Sequence, residues 1–412
     1  MNALDLVFPE VEEVAAPQAP VKRTSALRIA LVSDKEPTAF PWARHLAEDL
    51  HRLGHQVQWL RPRNHRWETP GEGLMEVLLP AHPSPARLVH HWRRYPPDVV
   101  HVLGNGYLGW AATHTARQMG LPVTFAADAQ LIHQPRAGDH WQQRLAQGWK
   151  RHICRSADAV LAPTFVEVQQ LRKQGLHHLR VAAQGVDLQL WNPQQRSHFL
   201  RRQWGVRTGT HVMAHLGPVD NADTVAGLRA AMDALLAQDA DARLLLIDAG
   251  RIPARLQALR PLRGEDWHDR PLGQRNADRK PTLAALLASA DILLMPAPEA
   301  RPELIPHGLA CGLALVARCS DLSLTYLEDG HNGILVGGAQ STATTPGAYG
   351  EAVVRLLSRP TDLTRLRLRA PASIAHLERS HTADQLARIL KEVAQGHARR
   401  LRAANTLVIA TD

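Results

Sequence analysis

The sequence predicts an α/β protein made of two doubly wound parallel sheets, and three observations carry that expectation. Short apolar runs alternate with segments of helical period from Leu27 to Asp187, and a second alternation of the same kind begins at His211. Between them, WNPQQRSHFLRRQWGV (191–206) is polar and punctuated, and reads as an interdomain connection. Strands alternating with helices imply right-handed crossovers and parallel pairing. At 412 residues the chain has room for two domains of ordinary size, each with its own core.

LRIALVS (27–33) is a β-branched apolar run suited to a strand buried on both faces. WARHLAEDLHRLG (42–54) has helical spacing, with Trp42, Leu46, Leu50 and Leu53 on one side and Gly54 as a stop. QVQWL (56–60), EVLLP (76–80), DVVHVLG (98–104), LPVTFAA (121–127) and ADAVLAP (157–163) are further strands, with helices at 107–119 and 164–174. LRVAAQGVD (179–187) closes the first half. In the second half HVMAHLG (211–217) and ARLLLIDAG (242–250) flank a helix at 222–237. LAALLASADILLMP (283–296) and LALVA (313–317) continue the pattern, with helices beyond 346. A final helix, 379–402, carries Leu386, Ile389, Leu390 and Val393. The expected organisation is a disordered arm (1–24), a first domain (25–190), a second domain (191–378), that terminal helix, and a tail (403–412).

Composition narrows the function classes. The chain is 45% hydrophobic and 21% charged, as in soluble globular proteins. No run approaches the roughly 18 apolar residues of a membrane span, and no secretory leader is evident, so a cytoplasmic protein is expected. Cys154, Cys311 and Cys319 lack metal-ligand spacing and read as free thiols. The net charge is +9, with basic clusters at Arg93-Arg94, Lys150-Arg151-His152, Arg201-Arg202 and Arg399-Arg400, several beside Trp92, Trp149 and Trp204. Two readings stay open: a surface drawn to anionic lipid at the inner face of a membrane, or plain solvated helix faces. Scattered charge with no recognition fold argues against nucleic acid. Phosphate-loop, zinc-protease and nucleophile-elbow motifs are absent.

The most informative stretch is 290–336. An apolar run ends at Pro296, Glu299 follows, and a short helix leads into Ala310-Cys311-Gly312 and a second apolar run. A Glu-Asp-Gly-His-Asn-Gly turn (328–333) closes the stretch. Elsewhere stand Leu53-Gly54-His55-Gln56-Val57, Ala157-Asp158-Ala159-Val160 with Pro163-Thr164, Gly185-Val186-Asp187 before Trp191-Asn192-Pro193, and Ser289-Ala290-Asp291. In this order, over 27–395, these resemble glycosyltransferase family 4. The resemblance implies the GT-B fold: two Rossmann-like domains facing across a cleft, with the terminal helix crossing back to the first. It implies transfer of a hexose, with retention, from a nucleoside-diphosphate sugar to a lipid or polysaccharide acceptor in envelope or exopolysaccharide assembly. No cofactor or bound metal is implied, because a helix N-terminus and fixed cations stabilise the departing diphosphate.

The same resemblance assigns roles and exposes gaps. Glu299 takes the position of the carboxylate that touches the transferred sugar, while His307 stands where a second carboxylate would hold the ribose. A neutral imidazole offers one acceptor nitrogen in place of two oxygens. Gly308 beside it allows close approach to a ligand or tight helix–strand packing. Asp128 falls where the family has a sugar-contacting histidine, as a possible base or a turn cap. After Gly217 the family has an Arg and then a Lys; here follow Pro218, Val219, Asp220, Asn221, Ala222 and Asp223, with Asp220 or Asn221 expected to cap the helix. Asp248-Ala249-Gly250 resembles a Gly-x-Gly turn with its first glycine lost, and Arg251 and Arg301 are the nearest basic replacements. The loop SDKEPTAFP (33–41) has no glycine, leaving Lys35 as a substitute cation. Two functions are therefore carried forward: an active, divergent glycosyltransferase, and a pseudo-enzyme that binds a partner, glycan or nucleotide without turnover.

Overall fold

Buried apolar runs too short for helices pair side by side, and the segments between them supply the covering layers. The computed structural model describes residues 26–34, 42–63, 73–127, 141–264, 282–297, 304–337 and 345–409. In the first half, in chain order, lie β1 (Arg28–Val32), α1 (Trp42–Arg52), β2 (Gln56–Pro62), β3 (Met75–Leu79), α2 (Pro85–Arg94) and β4 (Val99–Val102). Then come α3 (Tyr107–Gln118), β5 (Val123–Ala126), α4 (Trp141–Ser156), β6 (Ala159–Ala162), α5 (Phe165–Lys173) and β7 (Leu179–Val181). The second half opens with α6 (His198–Gln203), β8 (His211–Leu216), α7 (Ala222–Leu236), β9 (Ala242–Ile247), α8 (Ala254–Gln257) and β10 (Leu262–Arg263). It continues with α9 (Leu283–Ala288), β11 (Ile292–Met295), α10 (Leu304–Ala310), β12 (Ala314–Arg318), α11 (Ser323–Tyr326) and β13 (Gly333–Val336). Three helices close the chain: α12 (Pro346–Leu357), α13 (Pro360–Ser373) and α14 (Arg379–Ile409).

Two parallel sheets result, ordered β3-β2-β1-β4-β5-β6-β7 and β10-β9-β8-β11-β12-β13. Both have the Rossmann order, reversing between the first and fourth strands of each half. In the first sheet Leu31 of β1 pairs with Trp59 of β2 and with His101 of β4. The described chain divides after Gly185 and again after Glu378, so α14 belongs with the first sheet. Its Leu386, Leu390 and Val393 pack with Ile29, Leu31, Leu50 and Trp59 on one face of that sheet. Trp92, Leu108, Phe125 and Ile153 fill the opposite face. Arg379 anchors the start of α14 to Asp49 of α1 through bonds of 2.6 and 2.8 Å.

The polar stretch 191–206 folds with the second unit, because its arginines are drawn into a buried cluster. Asp291, just before β11, is 4% exposed and meets Arg196 at 2.8 Å, Arg201 at 3.1 Å and Arg367 at 3.3 Å. The same carboxylate accepts from the Val212 amide of β8 at 2.8 Å. The surplus positive charge is met by carbonyls beyond helix C-termini, where the helix dipole is negative. Arg196 donates to Ala288 and Ala290, Arg201 to Ser289, and Arg367 to Gly312. Burial pushes the Arg367 pKa down to about 10. Burial alone would raise the Asp291 pKa, but the three guanidiniums and the amide outweigh it and hold the value below its ordinary range.

Some residues expected at the surface are spent inside. Trp92 is fully buried, and Arg201 serves Asp291; Arg400 stays exposed but pairs with Asp158 at 2.8 Å. Cys154 and Cys311 are buried free thiols, and Cys319 is a half-buried one. No helix among the described residues is long and apolar enough to cross a membrane.

Asp291→Asn is expected to lower stability by about 3–5 kcal/mol in denaturant unfolding, since it strands buried guanidiniums without a counter-charge. The wild-type contribution is full above the unfolded carboxyl pKa, about 3.9, and fades as pH falls through the lower folded value. A pH series of unfolding midpoints should therefore show this acid-limb loss in the wild type and not in the variant.

Candidate functional site

Ligands of open parallel sheets bind beyond the carboxyl ends of the strands, where the order reverses. In the first unit that place lies between the ends of β1 and β4. The turn after β4 reads Gly104-Asn105-Gly106-Tyr107-Leu108-Gly109, a Gly-x-Gly-x-x-Gly spacing that opens α3. Such a turn usually offers helix amides to a phosphate. Here the protein's own Asp34, from the end of β1, accepts from the amides of Gly106 at 2.6 Å, Leu108 at 3.0 Å and Gly109 at 3.2 Å. The glycines make room for it. A Cβ on Gly104 would lie 2.0 Å from the Asp34 carboxylate, and one on Gly109 would lie 2.2 Å from the Gly104 carbonyl. Burial pushes the Asp34 pKa up, against the three amides that pull it down. An anion hole of this kind is already filled.

The second unit differs at the matching place, between the ends of β8 and β11. Gly217 ends β8 with φ +118°, and a Cβ built there meets nothing within 4 Å among the described residues. Its amide still bonds to Ile247 of β9 at 2.9 Å, so the turn is fixed. Helix α7 is capped by Asn221, whose side chain accepts from the Asp223 amide at 2.9 Å. It packs closely on the end of β11, where Gly227 faces Pro296 with space for no Cβ. After β9, Asp248 has φ +50° and Gly250 φ +62°, so the Asp does hold a backbone conformation that favours glycine. Arg251 is exposed just beyond.

A cation that the sequence reading did not single out reaches this place from another strand. Arg318, the last residue of β12, lies 3.2 Å from the Asp223 carboxylate in the first turn of α7. No local motif announces it; only strand order brings residues 223 and 318 together. His215, on β8, donates from Nδ1 to the Leu294 carbonyl at 2.9 Å. That leaves the buried Nε2 as an acceptor with no partner. Burial pushes the His215 pKa down and keeps the ring neutral.

Helix α10 carries His307 and Gly308. His307 is buried rather than on the helix surface, with its ring edge-on to Trp191 at 4.3 Å and 73°. A Cβ on Gly308 would stand 2.7 Å from Leu293 Cδ2, so this glycine sets how closely α10 approaches β11. Gly312, at φ +71°, ends the helix against Pro193. The Asp187–Pro193 segment thus delivers Trp191 to the middle of α10 and Pro193 to its C-terminal end. Its turns are held by Asp187, which accepts from Gln189 and Leu190, and by Asn192, which accepts from Gln194. The 328–333 turn is tied by Asn332, which bonds the Glu328 amide, the Tyr326 carbonyl and Ser373.

Of the residues expected at a site, the structure therefore places Gly217, Gly250 and Arg251 about the carboxyl ends of β8 and β9, and His307 and Gly308 on α10. Glu299, Arg301, Asp128 and Lys35 lie outside the described residues. A pocket of about 450 Å3 opens at the other end of the first sheet, lined by Arg28, Gln56, Met75, Arg94 and Tyr95, among others. Arg28, Gln56 and Met75 begin their strands, so this is the amino edge, not the ligand edge. No cluster of three or more metal-ligating side chains occurs among the described residues.

Comparison with known proteins agrees with this architecture. The family model described as a glycosyl transferase 4-like domain matches residues 41–185, ending where the chain leaves the first unit. A GDP-mannose-dependent alpha-mannosyltransferase of Mycobacterium tuberculosis is 28% identical over 233 residues, 52% of this chain and 59% of that protein. One from Corynebacterium glutamicum is 25% identical, covering 75% of this chain and 70% of the relative. A D-inositol 3-phosphate glycosyltransferase of Nocardiopsis dassonvillei is 28% identical over 70% and 69%. Among solved structures, Anabaena HepE in complex with UDP superposes with a TM-score of 0.65 at 17% identity, covering 89% of this chain and all of that one. Sucrose-phosphate synthase from Thermosynechococcus elongatus gives 0.63 at 17%, covering 91% and 99%.

The α10 packing is testable. Gly308→Ala should cost about 1–3 kcal/mol in unfolding free energy by overpacking against Leu293. Combining it with Leu293→Val should recover part of that loss, measured by denaturant titration of both variants and the double.

Proposed function

We propose that the chain is a member of the glycosyltransferase 4-like family with the GT-B fold, and that it moves a hexose, mannose foremost, from a nucleoside-diphosphate sugar to a lipid or polysaccharide acceptor with retention. The observation that carries this reading is the open turn at Gly217. The first unit's anion hole is stoppered by Asp34, whereas the second unit leaves space at the reversal of its sheet. The donor therefore belongs to the second unit. Names of the relatives support mannose and a guanosine donor.

In this reading Glu299 holds hydroxyls of the transferred sugar and Asp128 serves the acceptor side. No resident metal is required if amides at the start of α7 and a nearby cation meet the departing diphosphate. The Gly217 turn binds by close backbone approach, with Gly250 and Arg251 flanking it on β9. The acceptor's lipid character is supported by Lys150, Arg151 and Arg155 beside the half-buried Trp149 on α4, a basic and aromatic surface suited to anionic headgroups at the inner face of a membrane. A second reading, donor or partner binding without turnover, is favoured by one feature: Pro218-Val219-Asp220 brings no cation to the turn after β8.

Calorimetry with a panel of nucleotide sugars, followed by transfer assays, separates these readings. Binding and turnover of at least one donor are expected, and Glu299→Ala should lower kcat by roughly 100-fold or more while leaving donor affinity within a few-fold. A folded protein that binds no nucleotide sugar would overturn the proposal; binding without any transfer would leave the second reading.

A further inference from the structure

We propose that Arg318 supplies the cation for the donor's diphosphate, delivered from β12 rather than from the turn after β8, and that Asp223 holds the guanidinium in place until the diphosphate takes over. This rests on the donor-binding reading above and names the residue that makes it electrostatically workable.

The sheet order is what makes the delivery possible. β11 lies between β8 and β12, so a side chain rooted at the end of β12 that touches the first turn of α7 must reach past the carboxyl end of β11. That is the ligand edge of this sheet. The guanidinium is largely covered, with 17% of its side chain exposed, while the Asp223 side chain is 64% exposed. The Asp223 carboxylate is mostly in solvent, so water can take it up when another anion approaches the guanidinium. The arginine, by contrast, keeps its fork of donors oriented, which suits the paired oxygens of a diphosphate better than a single carboxylate.

The charge count supports the same assignment. Asp220 and Asp223 precede or begin α7, and two carboxylates alone would repel a diphosphate. Arg318 cancels one of them at 3.2 Å. Once a diphosphate is bound, the cation also stands near the positive end of a 15-residue helix, where both act on the same anion. Nothing in the residues following Gly217 can play this part, because none is basic before Arg229, which bonds Asp233.

Titrations of GDP, UDP and the corresponding monophosphates into the full chain test the assignment. The wild type should bind at least one diphosphate. Arg318→Ala should weaken it roughly 10- to 100-fold, the loss expected for hydrogen bonds to a charged group, with the monophosphate affected much less. Arg318→Lys should recover part of the loss, and Asp223→Asn should tighten the diphosphate by removing its competitor. Unchanged diphosphate affinity in Arg318→Ala overturns the inference and leaves the proposed function standing. So does equal weakening of mono- and diphosphate together with a lowered melting temperature, which marks a structural role. Weaker binding in Asp223→Asn overturns the placeholder. If the wild type binds no nucleotide, the proposed function fails and this assignment with it.

Discussion

The second unit is organised around one buried carboxylate. Asp291 touches three separate pieces of chain: the 191–206 stretch through Arg196 and Arg201, β8 through the Val212 amide, and α13 through Arg367; its own backbone leads into β11. β8 and β11 are the two strands that flank the reversal of the sheet. Their mutual position is therefore fixed at the amino end by a desolvated charge cluster. At the carboxyl end β8 runs into the Gly217 turn, held by its bond to Ile247. A buried ion cluster is a weak source of net stability but a strong source of geometric specificity when each polar group is satisfied. Here the helix-terminal carbonyls complete the satisfaction, so the arrangement tolerates three cations around one anion.

The two sheets share a strand order but treat the equivalent helix N-terminus in opposite ways. In the first unit the glycines at 104, 106 and 109 let the backbone close around Asp34, so the helix amides are consumed by an internal carboxylate. In the second, the first turn of α7 is met by a neutral Asn221 side chain, and the nearest carboxylate is turned toward Arg318. A shared strand order thus yields one helix start whose amides are taken by an internal carboxylate and one met by a neutral side chain. Fold alone does not set the electrostatics of a helix N-terminus; the side chains that meet it do.

Much of the fold was legible because buried parallel strands leave unbroken apolar runs. Arg28–Val32, His211–Leu216 and Ala242–Ile247 all lie within segments read as strands. The terminal helix was legible from Leu386, Leu390 and Val393, which do face the core. What escaped was long-range. Asp291 was read only as part of Ser-Ala-Asp; its partners lie at 196, 201 and 367, and no periodicity links them. The glycine spacing at 104–109 is local, but the Asp34 carboxylate that fills it comes from 72 residues before Gly106. Arg318 looked like the end of an apolar run, and its relevance exists only once β12 is seated beside β11. Short-range pattern reports burial; the site's electrostatics depends on which strand ends are neighbours.

The exchange at residue 307 follows from the same reasoning about surroundings. His307 shares its space with the Trp191 ring at 4.3 Å, beneath a helix that Gly308 and Gly312 press onto β11 and Pro193. A neutral imidazole can be covered by an indole at modest cost, because it has polar atoms but no net charge. A carboxylate in the same buried position would need a cation or several donors to offset its desolvation. The aromatic residue at 191 and the imidazole at 307 are therefore physically matched to each other. Replacing the histidine alone by a glutamate would place a charge against an apolar ring, so this position is tuned to its packing partner as well as to any ligand. An acidic pair eight residues apart is thus not the only way to build this helix into such a fold; an aromatic cover and a neutral ring form an alternative that keeps the helix in place.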